Sequence, residues 1–197
     1  WDDAWEEKAY TQWAFQQDYP AAIQTLLDFV AQAPAHPRAA EFLFDAALVA
    51  ERDRQIARAA ELWERVVNEY PMDERALQAT FLAGLSRYRN AEYASALSLF
   101  QRYLASATDL GDRAAAYFWQ AKTLQASGDP AGAQANLDLA ANTDPTGYYS
   151  ERARDLLRGR EPFEPPGLYD IGIDLAGERL QAENWMRSTF SLGDDVD

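Results

Sequence analysis

The chain has 197 residues, 48% of them hydrophobic and 25% charged, a balance that excludes intrinsic disorder. A formal net charge of −14 makes nucleic acid and anionic membrane surfaces poor electrostatic partners and suits a solvated surface. The absence of cysteine excludes disulfides, thiolate metal sites and a cysteine nucleophile, and no apolar run approaches the ~20 residues needed to span a bilayer.

Alanine is abundant while valine and isoleucine are scarce, which favours helix over sheet. Apolar spacing and its punctuation predict helices over 2–17, 20–32, 37–51, 55–69, 73–89, 92–106, 111–127 and 130–142. Pro20, Pro37 and Pro130 sit at helix starts, where a missing N–H costs little. Asp73 and Asp112 suit caps or first turns. A ninth helix at 147–158 closes the array, with Arg152, Arg154 and Arg158 ahead of Gly159. Residues 159–167 are a proline-rich linker. A last amphipathic helix over 174–190, apolar at Leu175, Leu180, Trp185 and Phe190, either caps the array or begins a following region spanning 168–197. The chain opens Trp1-Asp2-Asp3, without a starting methionine or leader, as expected of a processed or excised piece.

These helices repeat. Ala22, Ala59, Ala96 and Ala133 are each 37 residues apart. Four residues later stand Leu26, Trp63, Phe100 and Leu137, and seven later Phe29, Val66, Tyr103 and Ala140. Twelve later stand Pro34, Pro71, Thr108 and Pro145; three earlier, Tyr19, Ile56, Tyr93 and Pro130. Spacings of four and seven put a small residue and two large ones on one helix face. The upstream helix of each repeat has columns of its own: Phe44, Phe81 and Phe118, and the small residues Ala47, Gly84 and Ala121. The first repeat has Tyr10 at that small position.

These columns resemble the tetratricopeptide repeat family, although the period exceeds that family's ~34 residues. The resemblance implies an all-α fold, a right-handed α–α solenoid. It would comprise a superhelix over 1–158 with repeats at 2–36, 37–72, 73–110 and 111–145 and the closing helix. It also implies a concave side onto which the first helix of each repeat leans. Phe44, Phe81, Phe118 and Trp119 are candidates for that side, with Tyr88, Arg52, Arg89, Glu41 and Asp45 near them. Aromatics mixed with arginines and carboxylates suit a peptide or a glycan, and packing between helices is the alternative for the rings. Trp63, Phe100 and Tyr103 fall in core columns.

Chemistry is sparse. The single histidine, His36, lies between Pro34 and Pro37 and reads as a turn residue, not a metal ligand. The pairs Asp2-Asp3, Glu6-Glu7, Asp73-Glu74 and Asp194-Asp195 sit at helix starts or in the tail, not flanking a cleft as glycoside hydrolysis needs. No phosphate loop, nucleophile elbow or zinc motif occurs, so no catalytic residue, metal or cofactor is expected.

Tyr117 to Leu157 carries a second resemblance, through Phe118-Trp119, Gly128-Asp129, the alanine-rich Ala131–Ala141 and Pro145-Thr146-Gly147-Tyr148-Tyr149. It is similar to the end of the superhelical domain of soluble lytic transglycosylases, which cleave peptidoglycan. That resemblance implies a non-catalytic domain framing or binding peptidoglycan or a protein partner. A lysozyme-like catalytic domain would follow in cis, outside the cytoplasmic membrane and without membrane insertion or nucleic acid. The Glu-Ser pair that carries catalysis in that family is absent; Ser150-Glu151 reverses it. Glu61 to Pro71 is also similar to envelope assembly lipoproteins and cell-division coordinators. The alternative is therefore a free-standing envelope scaffold that binds proteins.

Overall fold

The computed structural model describes residues 1–161 and 174–191, and among them every regular element is helical. The chain divides into two units, 1–162 and 163–197. Most of the linker expected at 159–167, and the segments 168–173 and 192–197, lie outside the described residues.

The first unit runs α1 (Asp2–Tyr10), α2 (Tyr19–Gln32), α3 (Ala39–Arg52), α4 (Ile56–Glu69), α5 (Arg75–Arg89), α6 (Tyr93–Ser106), α7 (Leu110–Ser127), α8 (Pro130–Thr143) and α9 (Tyr148–Leu157). Each helix packs on the next, and α3 also touches α5 and α7 touches α9. The odd-numbered helices therefore form one layer and the even-numbered helices another. Sequence and structure agree on helix ends to within about two residues, apart from the first helix.

That helix was expected to run evenly to residue 17. Instead Thr11–Phe15 winds as a π-helix after α1. The wider turn takes up one extra residue. Its effect shows at the exit, where the Asp18 N–H donates back to Gln12 O, six residues away, at 2.9 Å. The corresponding bonds in later repeats reach back five residues: Gln55 to Ala50, Glu92 to Arg87 and Asp129 to Leu124.

The repeat columns are the core. Ala22, Ala59, Ala96, Trp63, Phe100, Phe29 and Val66 are completely buried, and Leu26 and Tyr103 nearly so. Small residues at 47, 84 and 121 allow close approach of the neighbouring helix. A Cβ on Gly84 would stand 2.7 Å from Phe100 Cε1, well inside contact distance. Asp18 and Asp129 cap α2 and α8 by accepting from the N–H groups of Ala21 (3.1 Å) and Gly132 (2.9 Å). Asp109 caps α7 through the Asp112 N–H (2.8 Å), so Asp112 is a first-turn acid. Asp73 accepts from the Arg75 N–H at 2.9 Å, in the turn before α5.

The second unit contributes α10 (Leu175–Phe190). Asp174 caps it through Gly177 N–H (2.9 Å), Arg179 pairs with Glu183 (2.7 Å), and the Trp185 and Phe190 rings meet edge to face.

Candidate docking clefts

The α3 residues Glu41, Asp45, Leu48 and Arg52 are spaced four, three and four, so they line one helix stripe. Three of them, Asp45, Leu48 and Arg52, enter a cleft of about 410 Å³ between α1 and α3. Glu6, Glu7 and Tyr10 of α1 and Trp13 of the π turn form the opposite wall. The Arg52 guanidinium lies over the Trp13 ring, 4.6 Å from its centroid. Glu41 is occupied instead by Arg38 (2.9 Å), whose guanidinium holds its carboxyl below the usual range. Burial pushes the Asp45 carboxyl up to about 6, with Glu41 and Glu6 adding to the rise and Arg75 and Arg38 opposing it.

Phe81 lies in a second cleft, of about 520 Å³, with Leu77, Tyr103, Asp112, Tyr148 and Tyr149. Tyr103 donates its hydroxyl to Asp112 (2.5 Å). Burial and this bond keep its phenol well above the usual range. Tyr148 is 60% exposed at the rim.

The remaining predicted residues scatter. Phe44 and Phe118 are only 8% exposed; Phe44 packs edge-on to Trp63, and Phe118 on Trp119 and Tyr149. Both rings serve packing between helices and offer little surface to a ligand. Trp119 is wedged among Tyr88, Phe100 and Phe118, and its buried Nε1–H has no acceptor among the described residues. Arg89 pairs with Glu51 across α5 and α3. The predicted residues thus divide among two clefts, interhelical aromatic packing and the ion pairs of Glu41 and Arg89, not one groove.

Tyr10 and Trp13 escaped the sequence reading. The signal was present: Tyr10 is a large residue in the small-residue column, and in the structure it is 46% exposed on the cleft wall. His36 sits in the α2–α3 turn, its ring against Phe29 and its Nδ1 accepting from the Arg38 N–H (3.2 Å). Among the described residues no group of three His, Cys, Asp or Glu side chains could hold a metal, and no helix is long and apolar enough to cross a membrane.

The family model for the tetratricopeptide repeat matches residues 41–71, which span α3, α4 and the turn after them. A comparison with curated proteins finds no match. Among solved structures, the chain is similar to a tetratricopeptide repeat protein from Parabacteroides merdae, at 12% identity and TM-score 0.61, over 96% of this chain and 66% of that one. It is also similar to MamA from Desulfovibrio magneticus, at 13% identity and TM-score 0.57, over 98% and 97%. A third likeness is to BtubC from P. vanneervenii, at 18% identity and TM-score 0.54, over 84% and 66%. At these identities the likeness is one of fold. It carries the tetratricopeptide part of the expected resemblance, and nothing in it links the chain to lytic transglycosylases. Among the described residues, the first unit is an all-α solenoid of tetratricopeptide type.

Proposed function

We propose that this solenoid is a docking scaffold that holds a segment of a partner protein in the cleft between α1 and α3 and performs no chemistry itself. The observation that carries the reading is the cleft wall. Tyr10 and Leu48 remain partly exposed beside Trp13, in a concavity large enough for several side chains. Such rings are the usual anchors of protein recognition. Selecting a displayed library of random 12-residue peptides against the purified chain tests this. Clones should bind the wild type, bind Tyr148→Ala equally, and lose Leu48→Glu. A library that yields no such clones sinks the reading.

The second reading is the accessory superhelix of a lytic transglycosylase, outside the cytoplasmic membrane beside a catalytic domain in cis. The sequence around Pro145–Tyr149 supports it, as does the chemistry of the second cleft. An exposed Tyr148 ring near Glu74, Asp109 and Asp112 suits stacking on a sugar and hydrogen bonds to its hydroxyls. Binding of purified glycan strands, measured by calorimetry, should then weaken at least tenfold in Tyr148→Ala. Equal binding by the variant, or none by the wild type, removes this reading. Turnover of those strands by the chain alone would overturn the non-enzymatic assignment in both.

A further inference from the structure

The cleft between α1 and α3 is not electrically neutral along its length. At one end Arg52 is held against Trp13 and makes no ion pair among the described residues. Further along, Glu6, Glu7 and Asp45 converge from the two helices. Glu6 is committed to Arg38, at 2.6 Å. Asp45 and Glu7 have no hydrogen-bond or ion-pair partner among the described residues. Asp45 is half-buried on a helix face with apolar neighbours, Leu48 and Val49, so its carboxylate has given up water without gaining a donor. A partly desolvated carboxylate without a donor, set beside aromatic rings, favours the approach of a cationic hydrogen-bond donor.

We propose that the cleft recognises a lysine- or arginine-bearing peptide segment, its cation seated on Asp45 and Glu7 and a neighbouring apolar side chain packed between Tyr10, Trp13 and Leu48. This deepens the docking role given above and rests on it. Charge complementarity selects the occupant: the chain as a whole is strongly acidic, and this cleft presents two uncommitted carboxylates beside apolar surface. An acidic segment would meet repulsion from Glu6, Glu7 and Asp45 and would find only Arg52, already stacked, to receive it. The π turn contributes as well. It presents Trp13 to the cleft, and the Gln12 side chain ties that turn to α2 by accepting from the Thr25 hydroxyl at 2.8 Å.

Binding should depend on pH. The groups facing Asp45 are Glu6, Glu7 and Tyr10 from α1, Glu41 and Arg52 from α3, Arg38 from the preceding turn and Arg75 from α5. Of these, Asp45 carries the raised carboxyl, charged above about 6 and neutral below. A cation bound beside it lowers that value, so affinity is full at neutral pH and is lost as the pH falls through 6 and below.

The test uses the same peptide library on the full chain at pH 7.5. Lysine or arginine beside an aliphatic or aromatic residue should be enriched, and acidic residues depleted. Selected clones should lose at least tenfold in affinity on Asp45→Asn, with circular dichroism unchanged. Wild-type affinity should fall several-fold from pH 7.5 to 5, and that of Asp45→Asn should not. Clones lost on Leu48→Glu but indifferent to Asp45→Asn, or lacking basic residues, overturn this inference and leave the docking role standing. No binding clones at all would overturn both.

Discussion

A residue one or two positions past the first helix of each repeat takes a left-handed conformation: Gln17 (φ 55°), Arg54 (φ 61°), Ala91 (φ 59°) and Gly128 (φ 89°). These four are 37 residues apart, so the inner turn is a repeat column in its own right. Only the last has the residue that this conformation favours, and a side chain there costs about 1 kcal/mol. Nothing lies within 4 Å of where a Cβ on Gly128 would stand, so Gly128→Ala tests the backbone cost alone. It should destabilise the chain by about 1 kcal/mol, and Ala91→Gly should stabilise it by a similar amount, in urea titrations. Equal midpoints for all three proteins would refute the argument. Gly84 is the opposite case, because its cost lies in space. Alanine would gain about 1 kcal/mol of helix propensity, but its Cβ would meet the completely buried Phe100 ring at 2.7 Å. Overpacking of that kind costs about 1–3 kcal/mol, so Gly84→Ala should lower the melting midpoint by a few degrees. A rise would mean that the ring can move aside.

At the scale of elements, α1 is held in two ways. Trp1 and Trp5 pack on Phe29, and Ala9 is buried. Arg38, in the turn before α3, forks across Asp2 (3.1 Å), Asp3 (3.4 Å), Glu6 (2.6 Å) and Glu41 (2.9 Å), with its plane over the Phe42 ring. One guanidinium shared among four carboxylates forms a network, more effective than isolated surface pairs worth 0–1 kcal/mol. Arg38→Met keeps the stem and removes the charge. It should speed limited proteolysis within α1 several-fold at low salt, and 1 M sodium chloride should narrow the difference from wild type. An unchanged cleavage rate would assign α1's attachment to the tryptophans alone. The same element shows what was legible in the sequence. Helix pairs were readable because every core column recurs at one spacing, whereas Asp45 and Arg52 were named only as neighbours of the aromatic column and not as one wall of a cleft with α1. The π turn was not readable, because an apolar pattern over 2–17 fits an even helix equally well. Tyr10 and Trp13 were missed with it. Phe44 and Phe118 illustrate the converse: a helix face adjoins both neighbouring helices and open cleft, and spacing alone does not say which of these a ring meets.

Across the whole first unit, the core changes character along the chain. α3 and α4 bury Phe42, Leu43, Phe44, Val49, Leu62, Trp63 and Val66, in one continuous cluster with α2. In α8 the buried residues are Ala133, Ala140 and Ala141, and in α9 they are Ser150 and Ala153. Each buried methylene contributes about 0.8 kcal/mol, so alanine columns stabilise their interfaces far less than columns of Trp and Phe. Hydrogen bonds offset part of this. The Ser150 hydroxyl donates to Ala140 O (2.5 Å) and accepts from Asp144 N–H (3.1 Å), and Arg154 donates to Ala141 O (2.8 Å). In a solenoid each repeat leans only on its neighbours, so local differences in interface strength persist as differences in local stability. Amide hydrogen exchange should therefore run down the chain, with α8 and α9 opening at least about tenfold more readily than α3 and α4. Leu137→Ala should accelerate exchange in α8 and α9 while leaving α3 unchanged. Uniform protection from α2 to α9 would show that the array unfolds as one cooperative body, with the alanine-lined repeats carried by the aromatic ones.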